Sequence, residues 1–189
     1  MMKQAWKKVV VAKIEMQAAA LLSLGKAAAP LRMMIRSVTS GDTTNIEAQA
    51  ARYYWPHMMG PEFRRDAGAG GLNALLNYGY TVLRAATARA VVAAGLHPSI
   101  GLHHSNRCNA FALADDLMEP FRLLADCAAR RIAQDRGDAV DFDAKLVLAR
   151  LTRIIHEKAR LHDTAVFGVA ETGKTDSSGG LDLAKGTVP

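Results

Sequence analysis

The fold class is decided by residues 72–94, which read LNALLNYGYTVLRAATARAVVAA. Apolar side chains recur there at intervals of three or four residues, which places them on one face of an α-helix. The members of this face are Leu72, Leu75, Leu76, Leu83, Ala86, Ala90, Val91 and Ala94. Gly95 follows directly and suits the position after a helix, because glycine adopts a left-handed conformation without steric cost. The segment therefore predicts a long helix with one buried face.

Helical periodicity extends over most of the chain on both sides of this segment. Further helices are predicted at residues 3–23, 27–38, 44–59, 112–134 and 141–162. Pro120 is expected in the first turn of the fifth helix or at a kink in it. No segment indicates a strand, so we predict an all-α fold of roughly six helices in one domain, residues 1–163. The small, polar residues 164–189 predict a flexible C-terminal tail.

The composition is that of a folded, moderately basic chain. Half of the 189 residues are hydrophobic, and 24 Lys and Arg against 18 Asp and Glu give a formal net charge of +6. The charge favours a polyanionic partner, most simply nucleic acid, but it also serves solubility alone, and both interpretations stay open. The chain lacks an apolar segment that could span a membrane and lacks a signal peptide. We therefore expect a cytoplasmic protein without membrane contact.

The cysteines predict neither a disulfide framework nor a zinc site. Cys108 and Cys127 have none of the short spacings of metal-binding cysteines. They are expected to be ordinary reduced thiols.

The groups that could hold a metal ion are concentrated in residues 104–122. His104 lies in a segment predicted to be a loop, and Asp116 and Glu119 are three residues apart, which would place both carboxylates on one helix face. Two such carboxylates repel each other, so a cation is expected between them, supplied by a metal ion, Arg107 or Arg122. Mixed oxygen and nitrogen ligands suit Mg²⁺ or Mn²⁺, the ions of phosphodiester chemistry. Glu47, which lies far upstream of these residues in the sequence, is a further candidate metal ligand.

Each candidate ligand also has a structural explanation. Glu47 follows Thr44 at the spacing of a capping box, in which the glutamate binds its own helix N-terminus. From the residues alone this capping role is the favoured interpretation of Glu47. His104 is equally explained as one of several exposed loop histidines, and Asp115 is expected to cap the helix that begins near residue 112.

Basic and aromatic residues supply the candidate contacts to DNA. The pairs Arg64-Arg65 and Arg130-Arg131 are the best candidates for phosphate binding, because two adjacent guanidinium groups suit phosphate oxygens. Aromatic side chains that could stack on bases are Tyr53, Tyr54, Trp55, Tyr78 and Tyr80. At helical spacing a core or half-buried position is the favoured interpretation of these aromatics.

Three blocks of sequence, in this order, resemble the CRISPR-associated integrase, the metal-dependent DNA nuclease of spacer acquisition. The first block, residues 40–55, reads SGDTTNIEAQAARYYW, and the second, residues 72–80, reads LNALLNYGY. The third block, residues 101–122, reads GLHHSNRCNAFALADDLMEPFR. Each block is weak by itself, whereas the three in order are specific. The His-Ser-Asn sequence in the third block resembles members from type II loci.

The resemblance implies an all-helical catalytic domain that holds one divalent ion, Mg²⁺ or Mn²⁺. Glu47, His104 and Glu119 fall on the family's metal-ligand positions and would be the catalytic residues. Asp116 falls on the neighbouring acidic position, where it would bind the ion through water or assist. On this basis Glu47 is expected to be a ligand rather than a cap.

The resemblance also implies the reaction and its substrates. A 3′-hydroxyl of a spacer precursor attacks a phosphodiester in the CRISPR repeat, which inserts foreign DNA during antiviral adaptation. With water as the nucleophile, the same site nicks DNA. The substrates are double-stranded DNA, and the predicted DNA-binding residues are Arg52, Arg64, Arg65, Arg107 and Arg122.

Members of this family carry an N-terminal β-rich domain that mediates homodimerisation, and they bind a small companion adaptation protein. This chain begins where the β-rich domain would have ended, so we expect a truncated catalytic part, and both partners are expectations for the family. The alternative function is a non-catalytic helical fragment that binds DNA or assists assembly. A helical metalloenzyme that acts on a small molecule, with iron, is a third interpretation. Glu119→Ala separates the first two, because it abolishes cleavage and spares DNA binding.

Overall fold

The computed structural model describes residues 1–103 and 108–153, and the regular secondary structure in this part of the chain is entirely helical. The α-helices are α1 (Met2–Ser23), α2 (Ala29–Ile35), α3 (Ile46–Met59), α4 (Leu72–Ala93), α5 (Ala112–Leu117), α6 (Arg122–Arg136) and α7 (Phe142–Ala149). The predicted all-α fold is confirmed. The end of the predicted last helix, residues 154–162, and the predicted tail, residues 164–189, lie outside the described residues.

The helix predicted at residues 112–134 is divided into two. Helix α5 ends at Leu117, a 3₁₀ turn covers Glu119–Phe121, and α6 begins at Arg122. Pro120 causes the interruption, because proline has no N–H to donate and its ring clashes with the preceding helical turn. The N–H of Phe121 donates to the carbonyl of Met118 at 2.9 Å, which closes the 3₁₀ turn. As a consequence, Asp116 and Glu119 belong to two successive helical elements rather than to one helix, and both are buried.

Helix α1 runs through one hydrophobic core. Its buried side chains include Trp6, Val10 and Ile14, and they lie in one cluster with Tyr54 and Met58 of α3. The helix packs against α2, α3 and the 3₁₀ turn. This packing brings α1, α3 and the segment after α5 together, and these three elements supply the candidate site. None of the helices in residues 1–103 and 108–153 has the length and hydrophobicity that crossing a bilayer requires.

Helix α4 packs against α6 and α7 at a position that only glycine fits. A Cβ atom on Gly79 would lie 2.8 Å from the Cβ of Ala125 and 3.3 Å from Cδ2 of Leu148. The first distance is shorter than carbon atoms tolerate, and Ala125 and Leu148 are fully buried. Gly79 therefore allows α4 and α6 to approach closely.

Replacement of Gly79 by valine is expected to lower the free energy of unfolding by about 3 kcal/mol, because the added carbons overfill the contact between α4 and α6. Ala85→Val is the matched control, since Ala85 is exposed on the same helix. Urea unfolding monitored by circular dichroism measures both variants. Equal stabilities of the two variants would contradict the close approach at Gly79.

Candidate functional site

Glu47 and Glu119, distant in sequence, meet on a single cation. Nζ of Lys13 lies 2.5 Å from Oε1 of Glu47 and 2.6 Å from Oε2 of Glu119. Lys13 belongs to α1, Glu47 to the first turn of α3, and Glu119 to the 3₁₀ turn. Burial lowers the pKa of Lys13, but the charges and hydrogen bonds of Glu119 and Glu47 outweigh burial, so its pKa lies above the usual value. The group is therefore an ammonium ion between two carboxylates.

The carboxylate of Glu47 is available because another residue caps α3. The N–H groups of Ile46 and Glu47 donate to Oδ1 and Oδ2 of Asp42, both at 2.9 Å. The N-cap residue is Asn45, with φ at 54°, rather than Thr44. The capping box expected from the residues alone is therefore wrong. Since Asp42 satisfies the helix N-terminus, the side chain of Glu47 reaches Lys13 instead.

Both carboxylate oxygens of Glu119 have cationic partners. Oε2 accepts from Lys13, and Oε1 lies 2.9 Å from Nη2 of Arg122. The side chain of Glu119 is 6% exposed, so these charges interact with little screening by solvent. The expected pairing of this carboxylate with Arg122 is observed. The ammonium of Lys13 was not anticipated from the sequence, because nothing local links residue 13 to residues 47 and 119.

Asp116 binds the backbone that precedes the histidine candidate. Its side chain is fully buried, and Oδ2 accepts the N–H of Leu102 at 2.6 Å and that of His103 at 2.9 Å. The His103 ring in turn stacks on Trp6, with centroids 4.4 Å apart. One carboxylate thus holds the chain immediately before His104. His104 itself lies outside the described residues.

The prediction that Asp115 caps α5 is wrong. The N-cap residue is Phe111, and none of the side chains that the structure describes caps this helix. Asp115 instead forms a two-pronged ion pair with Arg84, with Nε–Oδ1 at 2.6 Å and Nη2–Oδ2 at 2.8 Å. Asn109 also donates to Oδ2, at 2.7 Å. The residue therefore ties α5 to α4.

A cavity of about 170 Å³ opens beside Glu119. Its lining residues are Lys13, Gln17, Ala51, Trp55, Arg65, Tyr80, Glu119, Pro120, Arg122, Leu123 and Asp126. The guanidinium groups of Arg122 and Arg65 lie 4.7 and 5.4 Å from the centroid of the Tyr80 ring. Within the described part of the chain, Oε1 of Gln17 and Nε of Arg122 are buried atoms of this lining without a hydrogen-bond partner. The cavity is thus cationic and holds unsatisfied hydrogen-bonding groups.

The predicted DNA-binding arginines have different environments. Arg65 donates to the side-chain oxygens of Asn73, at 3.0 Å, and Asn77, at 2.6 Å, and within the described residues it forms no ion pair. Its charge is therefore held in place by neutral amides. Arg64 is exposed and donates to the carbonyls of Pro61 and Phe63.

A second, open groove of about 580 Å³ adjoins the cavity. Its lining residues are Ala51, Arg52, Trp55, Pro56, Pro61, Phe63, Arg64 and Arg65. Arg52 is exposed on α3, while Trp55 and Arg65 line both groove and cavity. Arg107, the remaining predicted DNA contact, lies outside the described residues. Arg130, of the other arginine pair, donates to the carbonyl of Met58, which gives it a structural contact.

Asp126 is a buried carboxylate that the sequence interpretation overlooked. It is 3% exposed, and it accepts hydrogen bonds from Tyr80 at 2.5 Å and from Tyr54 at 2.9 Å. Tyr54 and Tyr80 are both buried, which agrees with the core positions favoured for the aromatics. The sequence does contain a signal for this residue. Asp126 lies three residues from both Leu123 and Ala129, so it shares the buried face of α6 with them. An acid on an apolar helix face indicates a specific buried partner.

Asp126 is expected to make stability depend on pH. Burial raises its pKa from 3.8 to about 6, although the hydrogen bonds from Tyr80 and Tyr54 act in the opposite direction. The folded state therefore binds the proton more tightly than the unfolded state, so this contribution to stability is greatest below pH 3.8 and is lost as pH rises through 6. Between pH 4.5 and 7 the free energy of unfolding of the wild type should fall by about 2 kcal/mol more than that of Asp126→Asn. Urea unfolding at both pH values measures this, and parallel pH profiles would contradict it.

The described residues were searched for side chains that could hold a metal ion. No three His, Cys, Asp or Glu side chains within residues 1–103 and 108–153 converge as a complete ligand cluster. Glu47 and Glu119 nevertheless place hard oxygen donors around one cationic group, and such donors fit Mg²⁺ or Mn²⁺. Cys108 and Cys127 are both exposed.

Comparison with known proteins finds similar sequences. A family model described as CRISPR associated protein Cas1 matches residues 4–159. The CRISPR-associated endonuclease Cas1 of Neisseria meningitidis serogroup C is 46% identical over 126 residues, which cover 66% of this chain and 41% of the relative. A Cas1 endonuclease of Saccharolobus solfataricus is 36% identical over 148 residues, covering 70% of this chain and 42% of the relative. The chain thus spans about two-fifths of the length of these relatives.

A solved structure has the same fold. A casposase bound to its integration product matches with a TM-score of 0.64 at 21% identity, over 80% of this chain and 52% of the casposase chain. The helical architecture is therefore shared with a larger protein of known structure.

Proposed function

The chain belongs to the CRISPR-associated Cas1 family, and from this premise we propose that it is a divalent-metal-dependent DNA endonuclease and integrase that inserts spacers into a CRISPR array. The observation that carries the proposal is the meeting of Glu47 and Glu119 on one cation. These carboxylates come from separate elements, and bringing them together is costly unless a cation binds them. A relative that is 46% identical is named an endonuclease, which supports a nucleic acid as the substrate.

We propose that Glu47, Glu119 and His104 hold one Mg²⁺ or Mn²⁺ ion. When bound, the ion would polarise a phosphoryl oxygen and lower the pKa of the attacking hydroxyl group. Glu119 contributes a carboxylate whose position is fixed by Arg122 and by burial. Asp116 supports His104 by holding the N–H groups of Leu102 and His103, which precede it in the chain.

The arginines would position the DNA backbone. Arg65 and Arg122 line the cavity next to Glu119, where their guanidinium groups can donate to phosphate oxygens. Arg52 and Arg64 line the adjoining groove and would contact phosphates further along the strand. Trp55 lies between the two and offers a ring on which a base can stack. Arg107 is proposed as a further DNA contact on sequence grounds alone.

The reaction then depends on which nucleophile enters the site. A 3′-hydroxyl of a spacer precursor would attack a phosphodiester of the CRISPR repeat and join the strands, while water would nick the DNA. Both reactions need the same carboxylates and the same phosphate-binding arginines. Homodimerisation and binding of the small companion adaptation protein remain predictions from the family resemblance.

The test is a plasmid that carries a CRISPR repeat, incubated with the protein, Mn²⁺ and short duplexes that have free 3′-hydroxyl groups. Nicking and joining that both require Mn²⁺ are the expected result. Nicking without joining would support the endonuclease and contradict the integrase. DNA binding without cleavage would overturn the proposal in favour of a non-catalytic fragment that binds DNA.

A further inference from the structure

Lys13 occupies the place that a metal ion would take between the two glutamates. Its Nζ is within 2.6 Å of an oxygen of each carboxylate, so these oxygens cannot hold an ion and this ammonium at the same time. The side chain of Lys13 is only 16% exposed. Any divalent ion that binds Glu47 and Glu119 must therefore displace the ammonium, which then needs another acceptor, because a buried unpaired charge is costly.

An open acceptor lies one helical turn further along α1. Gln17 follows Lys13 by four residues, so the two side chains lie on the same face of the helix, and both line the cavity beside Glu119. Gln17 is 6% exposed, and its Oε1 is a buried atom that has no hydrogen-bond partner among residues 1–103 and 108–153. Buried polar atoms of this kind are rare and require an explanation.

The other carboxylate groups in the cavity lining, those of Asp126 and Glu119, already have partners. Oδ1 and Oδ2 of Asp126 each accept a hydrogen bond from a tyrosine hydroxyl group. Oε1 of Glu119 is paired with Arg122. Oε1 of Gln17 is thus an acceptor that the displaced ammonium can use without breaking another contact.

We propose that Lys13 is the counter-ion of the metal-free site, and that a divalent ion displaces its ammonium from Glu47 and Glu119 onto Oε1 of Gln17. This inference rests on the proposed role of the two glutamates as metal ligands. It accounts for both unusual features of α1, a lysine between two acids and a buried amide oxygen without a partner. Lys13 is a positioning residue in this scheme, because it holds the carboxylates together until the ion arrives.

The test measures binding of Mn²⁺ to the 189-residue chain, from the electron paramagnetic resonance signal of free Mn²⁺ at constant pH and ionic strength. Lys13→Met removes the competing ammonium and is expected to tighten binding about tenfold. Lys8→Met is the matched control, because Lys8 is exposed on the same helix and the variant loses the same charge. The control should change affinity by no more than about twofold, since salt screens an exposed charge.

Gln17→Met removes the receiving acceptor and keeps a side chain of similar size. It should weaken Mn²⁺ binding about tenfold in the wild type, because the displaced ammonium loses a hydrogen bond. In the Lys13→Met background the same substitution should have no effect, and this non-additivity distinguishes a transfer between the two residues from general electrostatics.

The inference would be overturned if Gln17→Met left the Mn²⁺ affinity unchanged, or if it changed that affinity equally in the wild-type and Lys13→Met backgrounds. Either result would be compatible with the proposed metal site. If Lys13→Met does not fold without a metal, an Mn²⁺ affinity of Gln17→Met equal to that of the wild type still overturns the inference. Failure of both wild type and Lys13→Met to bind Mn²⁺ would overturn the metal site and the inference with it.

Discussion

Glu119→Gln is expected to lower the rate of Mn²⁺-dependent nicking of plasmid DNA by more than about a hundredfold. Loss of a residue that only supports a metal ligand lowers activity by up to about a hundredfold, and loss of a proposed ligand should lower it further. The substitution keeps the shape of a side chain that is 6% exposed but removes its negative charge. The amide oxygen of glutamine can accept from Lys13 or from Arg122 but not from both, because its NH₂ group is itself a donor, so circular dichroism is needed to show that the variant is folded. The rate of conversion of supercoiled plasmid to nicked circles measures the effect.

Glu15→Gln is the control for this prediction. Glu15 lies on α1, is exposed, and undergoes the same chemical change at a distance from the cavity. The Glu15→Gln variant should nick plasmid DNA at the rate of the wild type. If Glu119→Gln kept more than about a tenth of the activity, Glu119 would not be the ligand proposed here.

Asp116→Ala is expected to reduce nicking by about ten- to a hundredfold and to lower the free energy of unfolding by about 2–3 kcal/mol. Alanine removes the oxygen that accepts the N–H groups of Leu102 and His103, and both donors would then lack a partner next to a fully buried position. The backbone before His104 would lose its anchor. Plasmid nicking and urea unfolding measure the two effects.

Asp116→Asn distinguishes an anchor from a ligand at this position. Both N–H groups donate to the same oxygen, Oδ2, and the amide oxygen of asparagine can take its place. As an anchor, the asparagine variant should keep most of the stability and activity that the alanine variant loses. If it were as inactive as Glu119→Gln, Asp116 would be a metal ligand instead.

The helical fold was predictable because each helix carries its own periodic signal. Residues 72–94 were predicted as one helix, and α4 covers Leu72–Ala93. The error came at Pro120, where the sequence left open a first turn or a kink, and the chain forms a 3₁₀ turn between two helices. Periodicity alone could not resolve this, because α5 and α6 continue the same apolar pattern on either side of the turn.

The candidate site was less predictable because it depends on contacts between distant residues. The capping box at Thr44 was a sound local inference, but Asp42 supplies the cap through the loop in front of α3. The local sequence does not mark Lys13 or Gln17 as site residues, because both residue types are common in helices. Only the packing of α1 places them in the cavity beside Glu119. Local rules describe caps and helix faces, and they do not determine which side chains meet across the core.

The most direct test of the proposed metal centre is a crystal structure of this chain with Mn²⁺, in which anomalous scattering locates the ion. We expect one ion about 2.2 Å from an oxygen of Glu47 and an oxygen of Glu119, with His104 as a further ligand and the Lys13 ammonium displaced. An ion bound elsewhere, with Lys13 still between the two carboxylates at saturating Mn²⁺, would contradict the account.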